Sequence, residues 1–212
     1  MAGVGFFVVV EGPEGAGKST LVRALVERMA WAGVAPVAVR EPGGTPAAEA
    51  LRAELLNDER RWTPEAELLY IAAARADVVA KVIRPALEAG RVVVSDRFDL
   101  STRAYQIAGR GLPMEQAGWV NRAATGGLVP DLTIVIDVPD GVGRQRQLSN
   151  GKVGDRLDRE TTDFHQRVAD FYRRADGPGL HHLDGAVAPE QLFERAWSVV
   201  SSARPDLFVM ER

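Results

Sequence analysis

The sequence predicts an α/β fold, a mostly parallel sheet covered by helices on both faces. Three observations carry it. Short apolar runs alternate with helical patterns from end to end of the 212 residues. The first run, FFVVV (residues 6–10), is bounded by glycine and shows no apolar/polar alternation, which suits a strand buried on both faces. A glycine-rich stretch, EGPEGAGKST (residues 11–20), lies between that run and the first helical pattern.

The elements follow in order. After FFVVV, residues 19–32 read as a helix with Leu21, Val22, Leu25 and Met29 on one face and Arg23, Glu27 and Arg28 turned away, ended by Gly33. VAVR (37–40) is a second strand and AAEALRAELL a short helix. A longer helix runs from about Pro64 to Glu88, with Thr63 as N-cap, Pro64 at the first position, acids early, and Pro85 bending its last turn. RVVVSDR and DLTIVIDV are the third and fourth strands, separated by helices near 101–108 and 113–125. A helix at 141–148 precedes the polar, glycine-rich SNGKVGDRLDRE. A helix at 161–175, a weak strand LHHLD and a last helix at 189–201 complete the chain. One domain over residues 1–212 is expected, with a lid at about 149–160.

Composition narrows the function. The net charge of −3 argues against a nucleic-acid partner, which a basic surplus would accompany. The absence of cysteine excludes disulfides and thiolate metal sites. The opening MAGVGFFVVVEG has no basic segment and too short an apolar run for a signal peptide or membrane span, so a cytoplasmic location is expected. Only three residues are lysines, against a large excess of arginine. Lys18 therefore stands out as a position that wants a compact point charge.

Gly12, Gly17, Lys18 and Ser19 match the P-loop pattern, with the required strand before and helix after. Residues Gly12, Pro13, Glu14, Gly15, Ala16, Gly17, Lys18, Ser19 and Thr20 would wrap the polyphosphate of ATP, with the N–H groups of all but Pro13 free to point inward. Lys18 would reach the β/γ-phosphates and the Ser19 hydroxyl would ligate Mg²⁺. Glu14 is the oddity, an acid in an anion cradle, and must point elsewhere, such as to a sugar hydroxyl. Arginines at strand ends and loops, Arg40, Arg97, Arg156 and Arg159, suit the clamping of a second phosphorylated group. Asp96 and Arg97 follow a buried strand, where the acid could hold Mg²⁺ or its water and the arginine an acceptor phosphate. SNGKVGDRLDRE reads either as a solvated loop or as a lid over ATP that excludes water. A guanine-reading Asn-Lys-x-Asp is absent, against a GTPase.

Together these segments resemble the thymidylate kinases. VREPGGT (39–45), SDRFDLSTRAYQ (95–106) and PDLTIVIDV (130–138) are similar to that family's segments in the same order, and an acidic P-loop with a lid arginine resembles its bacterial form. The resemblance implies a P-loop nucleoside monophosphate kinase fold with a five-stranded parallel sheet, a homodimer, and ATP-dependent phosphorylation of dTMP with Mg²⁺. By position it implies that Glu14 faces the 3′-hydroxyl and that Arg40, Glu41 and Pro42 line the acceptor pocket. Arg52 and Arg75 approach the nucleotide, Arg75 at the thymine carbonyl. Asp96 serves the metal and Arg97 the acceptor phosphate. Thr102 and Gln106 meet the base edge, and Tyr105 packs under the sugar. Arg156 reaches the phosphoryl group, and Arg146 lies against adenine opposite DGAVAP. The catalytic set so implied is Lys18, Arg97 and Arg156.

One position departs from the family. Where a Phe or Tyr usually stacks on thymine this chain has Ile71, beside Tyr70. Either Tyr70 swings in through a helix irregularity or the base is gripped without stacking. Two alternatives follow: a related nucleoside monophosphate kinase with a shifted base preference, and a P-loop protein that binds ATP to regulate a partner. The three histidines are too scattered for a metal site, and the four tryptophans read as core or interface. Asp137 reads as a structural hydrogen-bonding acid or a second acid on the metal side, and 114–125 as a packing helix at a dimer seam.

Overall fold

The computed structural model describes residues 5–139, 141–149 and 154–208. Five parallel strands form one sheet in the order β2-β3-β1-β4-β5: β1 (Phe6–Glu11), β2 (Val37–Arg40), β3 (Val92–Asp96), β4 (Leu132–Asp137) and β5 (Leu180–Asp184). Every pair is parallel, with Val8 opposite both Val94 and Leu132. Strand order reverses about β1, so its carboxyl end is the crevice where ligands bind in such sheets. That end runs directly into the glycine-rich loop.

The central strand shows why valine-rich runs are needed. Side chains alternate across a strand, and β1 is buried throughout. Phe6, Val8 and Val10 face a core with Leu21, Leu25 and Met29 of α1 (Lys18–Trp31) and Trp197 and Val200 of α9 (Pro189–Ala203). Phe7 and Val9 face the other core, with Val78, Ile83 and Phe98. Each fully buried side chain of this size contributes roughly 2 kcal/mol. Glu11 continues the Phe7/Val9 face, which puts a carboxylate in the interior.

The long helix predicted from Pro64 is three pieces: α3 (Pro64–Val78), a π-helical turn at Val79–Ile83, and α4 (Arg84–Glu88). Pro85 explains the interruption. It has no N–H to donate and its ring crowds the preceding turn, and a widened turn accommodates both. Thr63 caps α3 by accepting from Ala66 N, as its sequence position predicts. Thr45 does the same for α2 (Pro46–Leu56). Beyond β3, α5 (Asp99–Thr102) passes into a second π-helical stretch, Arg103–Gly109, followed by α6 (Met114–Thr125). α7 (Val142–Ser149) follows β4, and α8 (Thr162–Arg174) follows the lid segment. Residues 150–153 of the expected lid lie outside the described residues. Among the described residues, no helix is long and apolar enough to cross a membrane.

Candidate active site

The glycine-rich loop turns from β1 into α1 through residues that a side chain would spoil. Gly17 caps α1 in the left-handed region at φ 103°. Gly15 (φ 71°) lies so close to the backbone of Gly143 that neither has room for a Cβ, so α7 rests directly on the loop. Lys18 is buried and donates from Nζ to Pro13 O at 2.7 Å, folding its ammonium back over the loop. Burial lowers its pKa to about 8. Ser19 Oγ lies 2.5 Å from Asp96 Oδ2, joining the first turn of α1 to the end of β3. This pair offers a hydroxyl and a carboxylate at the mouth of the cradle. All-oxygen donors with room for water and phosphate suit Mg²⁺. Among the described residues there is no cluster of three or more His, Asp or Glu that could hold a metal by itself.

Two clefts meet above the sheet. The larger, of ≈ 2310 Å³, runs over Gly15, Lys18, Ser19 and Thr20 toward Arg146 and the Gly185–Val187 loop. Arg146 donates to Gly185 O at 2.9 Å, which sets it beside the loop the sequence paired it with. The smaller, of ≈ 570 Å³, is lined by Pro42, Ile71, Arg75, Thr102, Tyr105 and Gln106. Glu14, Glu41, Arg52, Arg97 and Asp155 line both.

Arg97 is the hinge between the clefts. It is a non-glycine residue with φ 75°, a conformation that costs of order 1 kcal/mol and recurs at functional sites. Its guanidinium is ion-paired with Glu14 and donates to Tyr105 OH at 3.0 Å, Ser101 Oγ at 3.1 Å and Gly12 O at 3.3 Å. Glu14 thus turns from the cradle to the neighbouring cleft, where Tyr105 OH also donates to it at 3.3 Å.

Beneath Arg97 lies a network that sequence reasoning missed. Glu11, with no exposed surface, accepts from Phe98 N at 2.8 Å, Ser101 Oγ at 2.7 Å and Tyr172 OH at 2.8 Å. Burial raises its pKa, with Arg97 and these donors opposing. The signal was an acid ending an otherwise apolar strand.

The far end of the smaller cleft is built from buried charge. Arg75 donates to Glu41 Oε2 (2.6 Å), Thr102 Oγ1 (2.6 Å), Asn121 Oδ1 (2.5 Å) and Phe98 O (2.8 Å). Burial pushes Glu41 up to about 7 against the pull of Arg75, and its Oε1 is buried without a partner. Arg52 donates to Pro42 O at 3.0 Å, and Arg40 is ion-paired with Glu49 at 2.9 Å on the rim of the larger cleft.

Tyr70 does not swing in. Helix α3 is regular through this point and Tyr70 packs on Trp62, ring centroids 4.3 Å apart, leaving Ile71 in the cleft wall. Nor does the structure bring Arg156 to Lys18. Its Nη2 is 2.6 Å from Glu67 Oε2 and its Nε donates to Leu55 O at 3.0 Å. Arg159 pairs with Asp58, also away from the cradle. The reason is Glu67, a carboxylate only 1% exposed, which draws the cations a buried charge requires. Asp155 and Leu157, between which Arg156 stands, do line the smaller cleft. Asp137 bonds His182 Nδ1 at 2.8 Å at the end of the sheet, a structural contact away from Ser19 and Asp96.

Comparison with known proteins agrees with this geometry. The family model described as Thymidylate kinase matches residues 10–195. The chain is similar to a thymidylate kinase of Synechococcus sp. strain JA-2-3B'a(2-13), 44% identical over 94% of this chain and 96% of the relative. It is also similar to those of Thermomicrobium roseum, 44% identical over 92% and 94% respectively, and Pseudomonas fluorescens Pf-5, 46% identical over 87% and 89%.

Proposed function

The chain belongs to the thymidylate kinase family, and from that premise we infer that it transfers the terminal phosphoryl group of ATP to dTMP, giving ADP and dTDP. The single observation that carries the reading is the shared wall. A phosphate cradle and a buried cleft of nucleoside size meet at Glu14 and Arg97, so two nucleotides can lie end to end.

An oxygen of the acceptor phosphate forms the new bond to the γ-phosphorus as the β–γ bridging bond breaks, and ADP leaves with that electron pair. The acceptor oxygen is already anionic at neutral pH, so no side chain need remove a proton. Catalysis is alignment and charge neutralisation. Lys18 would exchange Pro13 O for phosphate oxygens. Arg97 would hold the acceptor phosphate from the other side, while Glu14 takes the sugar hydroxyl and Tyr105 closes the space a 2′-hydroxyl would need. Ser19 and Asp96 would hold Mg²⁺, which supplies neutralising charge to the β- and γ-oxygens. Gly12 to Thr20 and Arg146 would hold ATP; Arg40, Glu41, Pro42, Arg52, Ile71, Arg75, Thr102 and Gln106 would hold dTMP. Arg156 would have to leave Glu67 to reach the phosphoryl group as a lid at about 149–160 closes on the single domain.

A homodimer is supported by exposed Leu69, Met114 and Trp119 on α3 and α6, which light scattering would test. A cytoplasmic location fits a chain without cysteine. The reaction is tested by coupled ADP release with dTMP, dUMP, UMP and CMP in turn. Turnover confined to dTMP and dUMP is expected, and no acceptor-dependent ADP would leave a nucleotide-binding protein in place of a kinase.

A further inference from the structure

Glu67 has no part in the reaction above, yet its carboxylate is among the best-satisfied in the protein. Oε1 accepts from Gln106 Nε2 at 2.9 Å and Arg110 Nε at 3.0 Å. Oε2 accepts from Arg110 Nη2 at 2.8 Å and Arg156 Nη2 at 2.6 Å. Glu67 stands on α3 one turn before Ile71 and two before Arg75, on the helix face turned to the smaller cleft. We propose that Glu67 is a positioning residue that fixes the orientation of the Gln106 amide and so makes the cleft select imide bases, thymine and uracil, over cytosine. The proposal rests on the dTMP kinase reading.

An ionised carboxylate can only accept, so the Gln106 end facing Glu67 must be its NH₂. Its Oε1 has no protein donor among the described residues, and Gln106 lines the cleft. The cleft therefore receives an acceptor there. Arg75 stands nearby with one Nη2–H left after its four protein bonds, and a guanidinium can only donate. An acceptor beside a donor is the complement of an imide edge, where N3–H lies next to the C4 carbonyl. Cytosine has the reverse order, a bare N3 next to an amine, and would meet acceptor with donor wrongly placed at both points. Sites that read polar groups this way reject mismatched analogues strongly, because buried partners are left unpaired.

An amide free to turn over would lose the distinction at N3. Turning it over against Glu67 sets carbonyl oxygen against carboxylate. The carboxylate stays charged: burial would raise its pKa, but the hydrogen bonds and charge of Arg110, with Arg156 and Gln106, outweigh that and lower it.

The test is the ratio of kcat/KM for dTMP over dCMP, read in the wild type and in Glu67→Gln. Where dCMP is not turned over, inhibition constants serve instead. The new amide would keep its oxygen on Arg110 Nη2 and Arg156 Nη2 and show its NH₂ to Gln106, which then turns over, at the loss of the Arg110 Nε bond. The ratio should fall at least tenfold, chiefly through loss of dTMP turnover. A general loosening of the fold would lower both acceptors together, and a ratio within threefold of the wild type overturns the proposal. Should E67Q fail to fold, the charge-balanced E67Q/R156Q is read in the same way. Wild-type protein gives a check free of any variant: dTMP methylated at N3 should bind at least tenfold more weakly than dTMP, and equal binding overturns the proposal. A wild type that phosphorylates neither dTMP nor dUMP sinks the kinase reading instead, a distinct outcome.

Discussion

The two ends of the active cleft are made of different material. The donor end is one contiguous stretch, Gly12–Ser19, whose backbone N–H groups and a single buried lysine would face the phosphates in the proposed reaction. The acceptor end is assembled from side chains of the segment after β2, of α2, α3 and α5, and of the π-helical stretch after α5, several of them held by another: Arg75 by Glu41, Gln106 by Glu67, Arg97 by Glu14. A phosphate looks alike on every nucleotide, so backbone can grip it. A base must be told from other bases, which takes fixed side-chain donors and acceptors. Fixing them in the interior takes buried counter-ions and their desolvation cost.

Four substitutions and one titration would break or sharpen this contrast. The largest effect belongs to Lys18→Ala, which should lower kcat/KM by roughly 10³-fold or more with an unchanged melting temperature. A near-normal rate would remove the cradle from the mechanism. At the acceptor end the opposite pattern is expected. Glu41→Ala strands Arg75, 2% exposed, without its counter-ion, and should cost about 3–5 kcal/mol in urea unfolding. Arg156→Ala, read by initial rates, should lower kcat by about 10²-fold with little change in dTMP affinity if the arginine moves to the phosphoryl group. Equal losses would keep it as a clamp on Glu67. Ile71→Phe restores an aromatic wall to the base and should tighten dTMP by about tenfold, within the 1–3 kcal/mol of base stacking. Titration has the smallest effect. Burial lowers Lys18 to about 8, so in the empty enzyme its charge is present below that pH and lost above it. The kcat/KM for ATP should therefore fall about tenfold per pH unit above 8, while kcat, measured with phosphates in place, holds to higher pH.

The same contrast decides what the sequence reveals. Backbone-built parts are legible because their residues are adjacent: the P-loop, the strand before it and the helix after it all lie where the pattern puts them. Four strands were legible as apolar runs and the fifth, LHHLD, only as a weak one, while Thr63 and Pro64 marked the start of α3. The side-chain network was not. Glu67 sits in the first turn of a helix, where an acid is ordinarily explained by the helix dipole, and nothing local connects it to Gln106, 39 positions away, or Arg156, 89 away. Glu11 drew no notice in the sequence, where Glu14 was the odd acid, and its partner Tyr172 lies 161 positions on. The π-helical turns were hidden for another reason: Pro85 marks a break, yet the register the chain adopts around it depends on packing.

Arg97 carries a last implication. Its backbone sits where glycine is at ease, while its guanidinium bridges the two clefts. Glycine at that point would relieve the main chain and empty the bridge; any other side chain would keep the torsional discomfort and still lack the five N–H groups. Improvement by single steps is closed at this position in both directions. Attempts to stabilise this protein by relaxing its most uncomfortable residue would trade away a cation on the wall that the two clefts share.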